Sequence, residues 1–198
     1  MQEPAQDTAP GSPVTSYAYK ASLIGAAHQF ELTEEGLSWR IAGRTAVWPY
    51  ADIAAVKLSY RPVSMQQHRF RADIRHKSGG RLPIFSTSWQ TAALMAPQDN
   101  GYRGFIIELH RRMQKVASKA ELTAGLGRKT YLAALALLSL VGAMLAVLFI
   151  RAMVVGEWAG ALFFIGFAAL FGWQVGGFVR RNRPLAYSFD HIPEALLP

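Results

Sequence analysis

Between Tyr19 and Trp89 the chain alternates apolar and polar positions in short runs, and after residue 130 that alternation gives way to two long apolar stretches. A period of two marks strands with one buried face. Seven such runs are predicted: Tyr19–Ile24, His28–Leu32, Leu37–Ala42, Thr45–Trp48, Ile53–Tyr60, His68–Lys77 and Arg81–Trp89. The residues between them suit turns. Thr33-Glu34-Glu35-Gly36, Gly43 and Ser78-Gly79-Gly80 separate neighbouring runs, and glycine offers the positive φ that closes a hairpin. Pro49 ends the fourth run, since proline cannot donate to a ladder.

Beyond Pro97 and Gly101 the period becomes helical. Phe105, Ile106, Leu109, Met113 and Val116 form one apolar stripe, while Glu108, Arg111, Arg112, Lys115 and Lys119 fall on the opposite face. One amphipathic helix is therefore expected to cap an antiparallel sheet system.

The two apolar stretches are of membrane length. Tyr131–Ile150 is twenty residues without a charge, which a helix extends over ~30 Å, the thickness of a bilayer's hydrocarbon core. Trp158–Val179 adds twenty-two residues whose only strongly polar member is Gln174, with Trp158 and Trp173 as interfacial aromatics. The segment Arg151–Glu157 is expected to join them as a loop. Arg111, Arg112, Lys115, Lys119, Arg128 and Lys129 precede the first span, Arg180, Arg181 and Arg183 follow the second, and the loop holds Arg151 alone. Lys/Arg-rich flanks stay in the cytoplasm, so both termini are expected there. Gly156-x-x-x-Gly160 and Gly172-x-x-x-Gly176 place small residues at helical spacing, as close helix packing requires, and Gln174 could hydrogen-bond across such a contact.

Charge sharpens this picture. Residues 1–130 carry 17 Lys+Arg against 10 Asp+Glu, a net +7 of the chain's +8. A basic domain tethered beside an anionic leaflet is drawn to it by ~1 kcal/mol for each Lys or Arg near the surface. That placement makes lipid a better partner than nucleic acid, which is not expected. Met1–Ser16, with Pro4, Pro10 and Pro13, lacks a basic region and an apolar core, so it is expected to be a disordered leader and not a signal peptide.

The 198 residues hold no cysteine, which excludes disulfides, thiolate metal sites and cysteine nucleophiles. The segment Gly125-Leu126-Gly127-Arg128-Lys129-Thr130 fails as a phosphate loop, because Arg128 stands where glycine is required and position 123 is threonine. His68 and His76 are eight residues apart on one strand, or ~26 Å, too far for one ion. His28, His110 and His191 lie on other elements, and no nucleophile elbow or His-Glu-x-x-His is present. No catalytic, cofactor or metal residue is assigned, and no enzyme activity is expected.

The one constellation left is basic. With Phe70, Ala72 and Ile74 facing the core, Arg69, Arg71, Arg75 and Lys77 should point outward together, and Arg81 lies just across the Ser-Gly-Gly turn. Such a ladder could hold anionic lipid phosphates or a protein partner. It could equally be a solvated sheet face with Asp73 as internal partner, or an edge that pairs by strand addition.

Strands followed by one helix, together with Glu31-Leu32-Thr33-Glu34-Glu35-Gly36-Leu37, Trp48-Pro49-Tyr50-Ala51-Asp52-Ile53 and Ile74-Arg75-His76-Lys77-Ser78-Gly79-Gly80-Arg81-Leu82-Pro83-Ile84, resemble bacterial pleckstrin-homology-like (PH-like) domains fused to transmembrane helices. The resemblance implies an α+β fold: a PH-like antiparallel β barrel or sandwich of about seven strands capped by one C-terminal amphipathic helix, then two transmembrane helices. Its boundaries would be a leader at 1–16, the soluble domain at 17–118, a basic glycine-containing joint at 119–130, a hairpin at 131–179 (spans 131–150 and 158–179) and a tail at 180–198. The tail's Tyr187, Phe189, Ile192, Leu196 and Leu197 are too apolar for a plain disordered end, and are expected to pack on the soluble domain or a partner. The expected function is binding or scaffolding at the cytoplasmic face of a bacterial inner membrane, with self-association. The competing expectation is an accessory or regulatory subunit of a membrane enzyme or transporter.

Overall fold

The structure is a computed structural model that describes residues 14–62, 68–91 and 94–198. The chain divides into two compact units, one running to Thr123 and resuming at Ala186–Pro198, the other covering Ala124–Leu185. In order, the elements are β1 (Ser16–Tyr19), β2 (His28–Leu32), β3 (Leu37–Ile41), β4 (Arg44–Trp48), β5 (Ile53–Tyr60), β6 (Phe70–His76), β7 (Arg81–Phe85), β8 (Thr87–Trp89), β9 (Met95–Pro97), α1 (Asp99–Lys115), β10 (Glu121–Ala124), α2 (Arg128–Val155), α3 (Trp158–Arg181) and β11 (Leu185–Ala186). The class is α+β, with open sheets: β1-β2-β3-β4, β11-β10-β5-β6-β7, and the pair β8-β9.

Period-two patterning sets the register of the larger sheet. Val56 opposes Ile74, which opposes Leu82, and Leu58 opposes Ala72, which opposes Ile84. All six are buried, and a slip of one residue would turn the row outward. The α1 stripe closes this core. Tyr102, Phe105, Ile106, Leu109 and Met113 are fully buried, and the Phe105 ring lies 5.8 Å from Tyr17 and 6.4 Å from Phe30. Tyr17 and Tyr19 donate hydroxyls to the backbone carbonyls of Phe85 and Pro83 at 2.6 Å each, satisfying groups on the β7 edge.

Several expectations are corrected. The first strand ends at Tyr19 and does not run to Ile24, because Tyr17 and Tyr19 supply its buried face, whereas Leu23 and Ile24 are 47% and 91% exposed. Residues 1–13 of the expected leader lie outside the described residues, and Ser16 already belongs to β1. The Arg81–Trp89 run breaks at Ser86, whose N–H donates to the Phe70 carbonyl and whose Oγ accepts the Phe70 N–H, both at 3.0 Å. Gly36 closes its turn without a positive φ. A Cβ there would overlap the Trp48 carbonyl, so the need for glycine is close approach.

Helical spacing assigns Glu108 to the polar face of the helix, yet it is buried. Arg111 grips it with two donors at 2.6 Å and Arg112 Nε donates at 2.8 Å, while Arg112 Nη1 donates to the carbonyls of Leu32 and Thr33 at 2.8 Å each. Tyr50 of the Pro-Tyr turn donates to the same Thr33 carbonyl at 2.7 Å. The helix, the β2–β3 turn and the β4–β5 connection are thus fastened at one point.

The segment expected to be a flexible joint contains β10, which neighbours β5 in the sheet. After it, Gly125 has φ +78°, a Cβ there would overlap the Asn182 and Arg183 carbonyls, and the Leu126 N–H donates to Asn182 at 2.9 Å. Across the sequence gap, the tail returns to the first unit. The Tyr187 N–H donates to Leu122 at 3.1 Å, its hydroxyl meets His110 Nε2 at 2.9 Å, and Leu196 and Leu197 are buried. His110 Nδ1 lies 2.7 Å from the Ile106 carbonyl, so that nitrogen carries the proton and Nε2 accepts from Tyr187.

In the second unit, α2 and α3 have 28 and 24 residues, long and apolar enough to cross a membrane. The expected seven-residue loop is shorter than its sequence suggests. Arg151–Val155 continue α2, since none of them breaks a helix, and the turn is Gly156-Glu157 alone, with Gly156 left-handed at φ +81°. Of all side chains on the two helices only Ala161 is buried.

Candidate functional site

Strand β6 builds the site by alternation. Phe70, Ala72 and Ile74 go to the core, which sends Arg71, Asp73 and Arg75 to the other face. Register then fixes their neighbours. Arg71 lies between Ser59 on β5 and Phe85 on β7, Asp73 between Lys57 and Pro83, and Arg75 between Ala55 and Arg81. Just beyond the strand ends, the Arg61 N–H donates to the Arg69 carbonyl at 2.7 Å and Arg69 Nε donates to the Arg61 carbonyl at 3.3 Å, which continues the face by one more cationic row.

The five cations expected to form one outward ladder are separated by their partners. Lys77 leaves the face, pairing with Asp52 at 3.3 Å beside the turn. Arg75 reaches Glu121 at 4.0 Å, with both ends well exposed. Arg81 and Arg71 share the single Oδ1 of buried Asp73, at 3.0 and 2.6 Å. Asp73 holds the Arg81 guanidinium above its ordinary pKa through that hydrogen bond. Arg69 and Arg71 both lie over the Phe85 ring, at 4.9 and 5.2 Å from its centroid.

The upper rows therefore hold an excess of positive charge. Among the described residues Lys57, Arg61 and Arg69 make no ion pair. Burial, then Arg71 and Arg61, push the Arg69 pKa down, and burial followed by Arg61 does the same to Lys57. Two of the five buried side-chain polar atoms without a hydrogen-bond partner among the described residues sit here on opposed positions: Ser59 Oγ and Arg71 Nε. Sequence reasoning passed over Ser59, Lys57, Arg61 and Phe85. The alternation of Ile53–Tyr60 already put Lys57 and Ser59 off the core, but only register shows that they flank β6.

The residues named for helix packing are not used together. Gly156 caps α2 in the turn, so Gly156-x-x-x-Gly160 is no helix face, which corrects that expectation. A Cβ on Gly160 would touch only Ala152 and Glu157 at 3.8 and 3.9 Å, and at Gly172 or Gly176 it would meet nothing within 4 Å. Gln174 is exposed. Elsewhere, no group of three or more His, Asp or Glu among the described residues could hold a metal ion. Comparison with protein-family models, curated proteins and solved structures finds no match for this chain.

Proposed function

We propose that this chain is a membrane-anchored PH-like binding and scaffolding module, with its soluble domain at the cytoplasmic face of a bacterial inner membrane and with self-association through α3. The observation that carries the reading is the position of the hairpin. The two apolar helices fall between β10 and β11, neighbouring strands of one sheet, so the chain leaves the soluble unit for the hairpin and returns to it. A domain completed by chain from both ends of a two-span anchor has both ends on one side, and the Arg/Lys-rich flanks favour the cytoplasm for that side. Four strands in one sheet, then β5-β6-β7 in the next, then α1, is the element order that supports the PH-like reading.

Gly172, Gly176 and exposed Gln174 support self-association. They leave room on α3 for another helix to approach closely, and an amide facing hydrocarbon gains a partner by such contact. The test is the native mass of the full chain in lipid nanodiscs with copurifying material retained. A defined homo-oligomer is expected. A single copy bound to one larger membrane protein would replace this reading with that of an accessory subunit, and a lone monomer would remove scaffolding by self-association.

A further inference from the structure

We propose that the row Ser59–Arg71–Phe85, together with Arg61 and Arg69, is a binding site for a phosphate group. The inference rests on the reading of the soluble unit as a binding module and adds the chemistry of its ligand. Three facts converge on one end of the β5-β6-β7 face.

The first is uncompensated charge. On this face Asp73 is the only buried carboxylate among the described residues, and its bonded oxygen is taken by Arg71 and Arg81. Further along the line of β6 from Asp73, past Arg71, Arg69 lies over the Phe85 ring and donates to the Arg61 carbonyl, and neither Arg61 nor Arg69 pairs with a carboxylate among the described residues. Guanidinium groups crowd one another at a cost that a shared anion removes.

The second is unmet hydrogen bonding. Ser59 is 1% exposed, and among the described residues neither its Oγ nor the Nε of Arg71 on the opposed position has a hydrogen-bond partner. A buried donor left unsatisfied keeps its desolvation penalty, which an acceptor oxygen placed between the two would recover.

The third is preorganisation. The Phe85 ring holds both the Arg69 and Arg71 guanidiniums within 5.2 Å of its centroid, and the Arg69 Nε bond to the Arg61 carbonyl limits how far that side chain can swing. Three guanidinium forks and a hydroxyl offer more donors than two carboxylate oxygens accept, whereas a phosphate presents three peripheral oxygens. The shared chemistry is a phosphate monoester, carried either by a lipid headgroup or by a small soluble compound.

The full chain decides this in two arms. In dodecyl maltoside, which contains no phosphorus, the ³¹P line of inorganic phosphate is followed on addition of protein. In phosphatidylcholine nanodiscs, co-sedimentation is measured with separate vesicles of phosphatidylcholine containing phosphatidic acid. Line broadening without co-sedimentation assigns a soluble phosphate compound, and co-sedimentation without broadening assigns a lipid headgroup. Arg61→Gln with Arg69→Gln is expected to weaken the positive arm at least tenfold. Removing the same charge from the exposed β3–β4 hairpin, Arg40→Gln with Arg44→Gln, should leave it within twofold.

Ser59→Ala removes one unpartnered oxygen and keeps the fold, so its expected several-fold loss is the control should the arginine pair fail to fold. Silence of both arms with the wild-type chain, equal loss in the two arginine pairs, or unchanged binding by Ser59→Ala would each overturn the site. Oligomer mass is read separately, so a monomeric chain that binds phosphate retires self-association alone, and an oligomer that binds none retires this site alone.

Discussion

The first unit encloses ionisable side chains at the margin of its core, whereas the hairpin turns nearly every apolar side chain outward. Glu108, Asp73 and His110 are buried with named partners, and in α2 and α3 only Ala161 is covered. The contrast follows from the medium each unit needs. In water, apolar burial drives folding and every enclosed polar atom must be matched. Two helices whose backbone bonds close within themselves need no core if their surroundings are hydrocarbon. Stability should therefore hinge on particular polar atoms in the first unit and on almost none in the second.

The largest expected effect comes from Glu108→Ala. It strips the carboxylate from Arg112, whose guanidinium stays partly buried between α1 and the β2–β3 turn, and should cost about 3 kcal/mol in denaturant unfolding followed by tryptophan fluorescence. The Arg111 hydrogen bond, with a second from Arg112, holds the Glu108 carboxyl below its ordinary 4.5 against the opposing effect of burial. Its contribution is thus complete above pH 4.5 and drains away as pH falls through the lowered folded value. A wild-type chain that shows no such acid-side loss absent from Glu108→Ala would break the comparison on its strongest side. Tyr187→Phe is smaller. It deletes one hydroxyl donor to His110 Nε2 and should lower stability by about 1 kcal/mol in the same assay.

Leu140→Ala should be smaller still, under about 0.5 kcal/mol, because Leu140 is 68% exposed on α2. Measured in nanodiscs by proteolysis of the hairpin and by native mass, a large effect would show that another helix covers this position.

What could be read from sequence follows the length and purity of each pattern. Ile53–Tyr60 is legible because Val56, Leu58 and Tyr60 alternate with Lys57 and Ser59, although the register shift between Ile53 and Ala55 is not. Met95–Pro97 and Glu121–Ala124 were not, since three or four residues carry no period and the second pairs beside a strand more than sixty positions earlier. Glu108 misled for a different reason. Helical spacing assigns it to the polar side, but the long forks of Arg111 and Arg112 fold over it, and spacing says nothing of where a guanidinium ends. The basic face divides the same way. Alternation revealed Arg69, Arg71 and Arg75, while the division of Asp73 between Arg71 and Arg81, and the ring shared by Arg69 and Arg71, depend on cross-strand register. Arg151 ends the uncharged stretch but not the helix, because arginine is a good helix former, so Arg151–Val155 continue α2.

The insertion of α2 and α3 ahead of β11 has a consequence for biosynthesis. As the chain leaves the ribosome, β10 and α1 emerge first, and the Leu122 carbonyl and His110 Nε2 wait for partners that are translated only after both helices. The domain cannot finish its own sheet until Tyr187 comes back to it. A chain whose second helix lodged the wrong way in a bilayer would strand that segment on the far side, with the edge of β10 bare and the His110 pocket open. On the membrane-anchored reading proposed above, completion of the first unit would double as an inspection of membrane topology, one that a domain with all its strands ahead of its anchor does not have.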